Sequence, residues 1–225
     1  MPYAVAIDIG GTFTDLVAFD HETQRVIYAK SPTTYDNLVR GILECCEKAK
    51  VQPREATLVN HGTTLVINSL VERKGAKAAL VTSKGFRDIL EIARGNRPDP
   101  FDLYYQREEP LIPRELRLEV AERMGSKGEV VEPLDVPSLK KLAGELKELG
   151  VESVAVFFMN SYINSAHEEV AAATLKELLP DVYVTFSTDL TREWYEYERC
   201  STVATNAYVG PQVNTYIRRL EGDFK

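Results

Sequence analysis

Cysteine is scarce in this 225-residue chain: Cys45, Cys46 and Cys200 are odd in number, and two of them are adjacent. Such a set builds neither a disulfide framework nor a zinc site. The three are expected to be small buried side chains in a reducing compartment. No stretch reaches about 18 consecutive apolar residues, so no membrane helix is expected. The opening residues lack a basic segment followed by a long apolar core, so no secretory signal is expected, and the cytoplasm is the expected compartment. Cations are in deficit, with 27 Lys and Arg against 34 Asp and Glu for a net charge of −7. Nucleic acid and anionic membranes call for clustered cations and are excluded as main partners. A phosphate ligand is not excluded, because backbone N–H groups can hold one without a basic surface.

What is present is an ordinary globular composition, 44% hydrophobic and 27% charged, long enough for one large domain or one and a half small ones. Three apolar stretches open the chain: Tyr3 to Ile9, Thr12 to Phe19 and Arg25 to Lys30. Short connections at Gly10-Gly11 and His21-Glu22-Thr23 suit hairpins. Helical spacing of Leu38, Ile42, Leu43 and Cys46 predicts a helix over 35–50. A strand over 56–60, a helix over 64–74 and a strand over 76–82 follow, with Gly75 expected as the helix C-cap. The pattern then loosens to 134, where six of the eleven prolines begin to gather, at 98, 100, 110, 113, 133 and 137. Extended pieces are expected at 116–123 and 129–132. Regularity returns as helix 136–149, strand 153–158, helix 166–178 and strand 182–186, an alternation that indicates parallel α/β pairing. A polar helix over 192–220 is expected to break at Gly210-Pro211. That helix has little to pack against before the sequence stops, which suggests a fragment or one subunit of a larger assembly.

The stretch "AVAIDIGGTFTDLVAFD" carries the clearest chemistry. Two glycines let the backbone approach a ligand closely and can aim N–H groups at one point. Thr12 and Thr14 share a strand face and add hydroxyl donors. Asp8, at the end of the preceding strand, can hold a hydrated Mg²⁺ beside phosphates. The pattern is a phosphate clamp built on a β-hairpin, since neither G-x-x-x-x-G-K-[ST] nor G-x-G-x-x-G occurs. A tight hairpin that merely uses glycines is the plainer alternative.

"DIGGTFTD", followed by "HGTTLVINSLVERKGAKAALVTSKGFRDILEIARGNRP" and by "EYERCSTVATNAYVGP", resembles the N-terminal part of the hydantoinase A / 5-oxoprolinase family over nearly the whole chain. The resemblance implies an actin-like ATPase (ribonuclease H-like) first lobe, a mixed sheet in β-β-β-α-β-α order. It places that domain at 1–186, and a junction helix with the truncated start of the next domain at 187–225. It implies ATP and Mg²⁺ as cofactors, with ATP spent on opening a cyclic amide such as a hydantoin or 5-oxoproline. Relatives that activate ketones such as acetone or acetophenone for carboxylation supply the alternative. Asp8, His61, Thr63 and Thr64 become the expected catalytic residues, with Asp8 the metal ligand. Gly10, Gly11, Thr12, Thr14, Asp15 and Gly62 become the expected nucleotide contacts. The implied partner is a hydantoinase B-type subunit or the remainder of the same polypeptide, in an oligomer.

Other clusters carry less. In "HGTT", Gly62 permits a turn and Thr63 or Thr64 is a natural helix N-cap, so an anion site competes with simple capping. Many family members read T-N where this chain has Ile67-Asn68; the asparagine is kept as a substrate-side candidate. Arg94 and Arg97 sit in a proline-bounded loop and suit carboxylate or phosphate. His167, Glu168 and Glu169 open a helix without a second histidine one turn away, so zinc is not expected. Glu198, Arg199 and Thr202 are spaced to face one groove; Glu198 and Arg199 are further substrate candidates. A sugar kinase of the same superfold would show an E-x-G-H signature and a cysteine-rich zinc cluster, and neither is found. A non-enzymatic nucleotide-binding subunit is the remaining class.

Overall fold

The computed structural model describes residues 3–34 and 37–224. Residues 1–74 and 212–225 pack as one unit, and residues 75–211 as another. The boundary drawn at 186 from family resemblance concerns family segments rather than packed units, and stays a proposal.

In the first unit, β1 (Tyr3–Ile9), β2 (Phe13–Asp20) and β3 (Arg25–Pro32) form an antiparallel meander. Helix α1 (Leu38–Ala49) follows, then β4 (Ala56–Thr63) and α2 (Leu65–Val71). The sheet order is β3-β2-β1-β4, with β4 parallel to β1. The helix start expected at Tyr35 lies outside the described residues. Asn37 caps α1 by accepting from the Val39 N–H, and Lys50 ends it in the left-handed conformation. Alternation decides the faces. Val5, Ile7, Ile9, Leu16 and Ala18 point to one side, where Val39, Ile42, Cys45 and Cys46 of α1 close the core. Ala6, Asp8 and Val17 alternate with them and are exposed.

The second unit begins with β5 (Ala78–Ser83), the short helix α3 (Ile89–Ile92), β6 (Arg117–Val120) and a small hairpin of β7 (Arg123–Met124) with β8 (Val130–Glu132). Then come α4 (Val136–Glu148), β9 (Ser153–Phe157), α5 (Ala166–Leu178), β10 (Tyr183–Phe186), α6 (Ser187–Leu190) and α7 (Glu196–Phe224). Its sheet, β10-β9-β5-β6, is parallel throughout. Every residue of β5 and β9 is buried, as expected of central strands covered on both faces.

Two expectations need correction. Helix α2 ends with Glu72 as its cap, so Gly75 is not a C-cap. Gly75 instead lies under the buried Tyr208, whose ring a Cβ would overlap. The chain does not break at Gly210-Pro211, because α7 runs through Pro211. One lost N–H bond costs about 3 kcal/mol in a helix interior, and buried Val203, Ala207, Tyr208 and Tyr216 flank the site on both sides. All three cysteines are buried and unbridged; burial pushes the Cys46 thiol up to about 11 and Cys200 higher still. Among the described residues, no helix is long and apolar enough to cross a membrane.

Candidate functional site

The site is built where β1 ends. Asp8 is the last outward-facing residue of that strand, two places before the Gly10–Thr12 turn. Pairing across the sheet puts Asp8 opposite Asp15, Asp15 opposite Lys30, and Asp8 beside Gly62 on β4. Partners in register share a face, so Gly62, Asp8, Asp15 and Lys30 form one row across all four strands. Lys30 Nζ lies 3.0 Å from Asp15 and 4.7 Å from the centre of the Phe13 ring. Among the described residues, Asp8 has no such cation. A side chain at position 62 would lie 3.1 Å from Asp8 Oδ1, so glycine there leaves the carboxylate its room. An open cleft of about 470 Å³ runs along this row, lined by Asp8, Asp15, Val17, Asn60 and Gly62 among others.

Two turns meet beside it. In the first, the Gly10 N–H is committed to the Phe13 carbonyl at 2.9 Å, and the Gly10 carbonyl accepts from the Thr33 hydroxyl. Gly11 and Thr12 are the exposed part of that turn. In the second, Gly62 and Thr63 are exposed, and Thr63 Oγ1 caps α2 by accepting from the Leu65 N–H. The Thr64 N–H donates to the Ile9 carbonyl at 3.2 Å and ties the two turns together. Asn68 reaches back from α2 to Thr64 Oγ1 at 3.2 Å.

Two expected contacts turn the other way. Thr14 is fully buried on the core face, where its hydroxyl lies 3.4 Å from that of Thr33 and its carbonyl accepts from the Cys45 thiol. It supports the hairpin from behind. His61 is in register with buried Ile7, so its ring turns to the core and not to the face that bears Asp8. There its Nε2 is hydrogen-bonded to the hydroxyl of Tyr216, a residue of the core cluster. Burial holds the His61 pKa below the ordinary imidazole value.

In the second unit, Arg94 pairs with Glu198 and lies over the Tyr195 ring, 4.7 Å from its centre, in a cleft of about 430 Å³. Arg97 is exposed in the following loop. Arg199 does not join this groove. It is completely buried, donating to Ser187 Oγ at 2.6 Å, to Ser161 Oγ and to the Phe158 carbonyl, with Glu168 at 3.5 Å. Glu168 in turn accepts from Phe158 N, Ser161, Ser187 and both donors of Thr188. This network is a structural anchor for the start of α7. Glu168, which the sequence places only at a helix start, is thus the buried acceptor at the centre of this network. Nearby, buried Glu122 joins His167 Nδ1, at 2.8 Å, to the hydroxyl of Ser83.

Among the described residues, no group of three or more His, Cys, Asp or Glu could hold a metal ion. An ion at Asp8 would therefore rely on water and on ligand oxygens. That suits Mg²⁺, which keeps several waters and takes one or two carboxylates.

The hairpin, the row of carboxylates and the second turn belong to a segment with known relatives: residues 4–179 match the hydantoinase/oxoprolinase N-terminal region. The chain belongs to that family. An uncharacterized protein of Methanocaldococcus jannaschii is 39% identical over 228 residues, covering 100% of this chain and 34% of that protein. The caprolactamase subunit alpha of Pseudomonas jessenii is 32% identical, covering 99% of this chain and 33% of that subunit. A crystal structure of ATP-dependent caprolactamase from the same organism superposes with a TM-score of 0.84, at 32% identity, over 99% of this chain and 33% of that one. The acetophenone carboxylase gamma subunit of Aromatoleum aromaticum is 31% identical, covering 92% of this chain and 31% of that subunit. The fold is thus the α/β fold with mixed sheets shared with these relatives. The chain spans about a third of the length of the curated relatives it matches.

Proposed function

We propose that this chain is the nucleotide-phosphate lobe of an enzyme that spends ATP to hydrolyse a cyclic amide of the hydantoin, 5-oxoproline or lactam type. The observation that carries the reading is Asp8: an exposed carboxylate with no cation of its own among the described residues, beside Gly62, at the mouth of two adjoining turns. Asp8 orients Mg²⁺ through water, and Asp15, already paired with Lys30, sets the charge of the row. Gly10, Gly11 and Thr12 form the turn against which phosphate rests, with Thr14 bracing it from the core. The Gly62-Thr63-Thr64 turn meets the terminal phosphate. Asn68 is assigned to the substrate side of this lobe, and Arg94, Arg97 and Glu198 are separate substrate candidates of the second unit. ATP supplies the phosphoryl group that makes an unreactive amide open to water, and the chain's share is positioning and charge neutralisation.

A ketone carboxylase subunit is the second reading, favoured by the likeness to the acetophenone carboxylase gamma subunit. The test is ADP release by the intact protein with its partner subunit. Mg-ATP is supplied with a lactam, 5-oxoproline, hydantoin, or acetophenone plus bicarbonate. Stimulation by an amide supports the hydrolase and stimulation by the ketone the carboxylase. Binding of ATP without stimulation by any of them moves the reading to a non-enzymatic nucleotide-binding subunit. Failure to bind ATP ends it.

A further inference from the structure

The sequence offers no reason to connect Tyr216 with the phosphate turns, since it lies 155 residues beyond His61. Yet its hydroxyl meets His61 Nε2, its ring centre is 5.5 Å from that of His61, and it is 6% exposed within the core cluster of the first unit. One turn earlier on the same helix, Gln212 Oε1 accepts from Ser69 Oγ of α2 at 2.6 Å. The two contacts grip the second turn from both sides, at His61 before Gly62 and at Ser69 on the helix after Thr64.

The proton positions follow from the partners. Burial keeps His61 neutral, and burial pushes the Tyr216 phenol up to about 12, so the phenol keeps its proton. A neutral imidazole has one donor and one acceptor nitrogen. If Nε2 carried the hydrogen, Nδ1 would be a bare lone pair, buried and without a donor. With Nε2 taken by Tyr216, the favourable influence of the Ile7 backbone on the charged ring falls to Nδ1 and favours an N–H there. The Tyr216 hydroxyl therefore donates to Nε2, and the proton sits on Nδ1.

We propose that Tyr216 is a positioning residue: its hydroxyl fixes the Nδ1–H tautomer of His61 and so holds the Gly62-Thr63-Thr64 turn in the shape that receives a terminal phosphate. His61 is then a strut and takes no part in proton transfer, which departs from its expected catalytic role. The phosphate part of the proposal rests on the reading given under Proposed function.

The test uses the full 225-residue chain and the variants Tyr216→Phe and Gln212→Leu. Nitrogen NMR of the histidines, at a pH well above the ordinary imidazole range, reads the tautomer without any ligand. The wild type should show Nδ1–H at His61, Tyr216→Phe should move the proton toward Nε2, and Gln212→Leu should leave it in place. Calorimetry should find Mg-ATP bound about tenfold more weakly by Tyr216→Phe, the scale of one lost hydrogen bond, with Mg-ADP affinity nearly unchanged. An Nε2–H tautomer in the wild type, no tautomer change in Tyr216→Phe, or the same change in Gln212→Leu overturns the assignment. A tautomer change with equal effects on ATP and ADP overturns the link to the terminal phosphate. If the wild-type chain binds no nucleotide by itself, amide exchange over residues 62–68 decides the strut alone, and ADP release by the intact protein decides the proposed function. Faster exchange in Tyr216→Phe upholds the strut, and unchanged exchange removes it.

Discussion

Asp8 and Asp15 stand directly opposite each other on β1 and β2, two carboxylates in one cross-strand pair, with Lys30 beside Asp15. Like charges so placed destabilise a sheet by roughly 0.2–1 kcal/mol. Exposure puts this pair at the low end, but the sign remains unfavourable. A bound divalent cation reverses it.

Asp8→Asn is therefore expected to leave the fold intact, with stability unchanged or raised by roughly 0.2 kcal/mol, while Mg-ATP binding is lost. Thermal unfolding and calorimetry on the same sample check both halves. A variant that binds Mg-ATP as well as the wild type removes Asp8 from the site.

Gly62→Ala separates room from charge. Alanine in place of glycine gains about 0.4–1 kcal/mol by restricting the unfolded chain, but its Cβ, 3.1 Å from Asp8 Oδ1, makes the carboxylate turn aside. Stability should hardly move while the affinity for Mg-ATP falls. Unfolding of the variant, or unchanged affinity, would contradict this.

The buried pair gives a larger effect. Arg199→Met leaves Glu168 charged and uncompensated in the interior, at a cost of about 3–5 kcal/mol. Glu168→Gln combined with Arg199→Met should lose less than Arg199→Met alone, because no buried charge is stranded. Urea denaturation orders the two, and the reverse order would show that packing of the Arg199 stem dominates.

Acid sensitivity has a local source at the start of α4. The Asp135 carboxylate accepts from the Ser138 hydroxyl and N–H, and these hold its pKa below the ordinary aspartate value. A carboxylate with a lowered folded pKa contributes stability above its unfolded pKa and loses it as pH falls through the folded one. Asparagine caps a helix as well as aspartate does, so Asp135→Asn isolates the charge. The stability gap between wild type and variant should close as pH falls from neutrality through the aspartate range, and a constant gap would contradict the assignment.

Gly75→Ala should cost about 1–3 kcal/mol, as overpacking does in a filled core, because buried Tyr208 has no space to yield. A melting temperature equal to that of the wild type would mean that the ring can move.

Much of this was legible in the sequence, and the limits follow from distance along the chain. The hairpin glycines, the period-two alternation of β1 and β2, and the strand-helix rhythm after 134 are local signals, and the elements lie where those signals put them. The Asp8–Asp15–Lys30 row could have been found by counting residues back from the two short turns, because hairpin length fixes register. Tyr216, Gln212 and the partners of Glu168 could not, since the contacts join residues far apart in sequence and leave no period behind. Thr14 shows a subtler limit. Alternation put it on one face with Thr12, but Thr12 lies in the exposed turn ahead of β2, and only packing against Gly41 and Cys45 reveals that Thr14 points inward.

The first unit draws its last piece from residues 212–225, after all of the second unit in the chain. Ribosomes add about 5–20 residues per second. The 155 residues between His61 and Tyr216 thus impose a wait on the order of 10–30 s at those rates. Through that interval the phosphate sheet has emerged without the helix that closes its core, while residues 75–211 can already condense. A nascent chain halted before residue 212 would lack both Tyr216 and Gln212, and with them the two contacts that hold the second turn from behind.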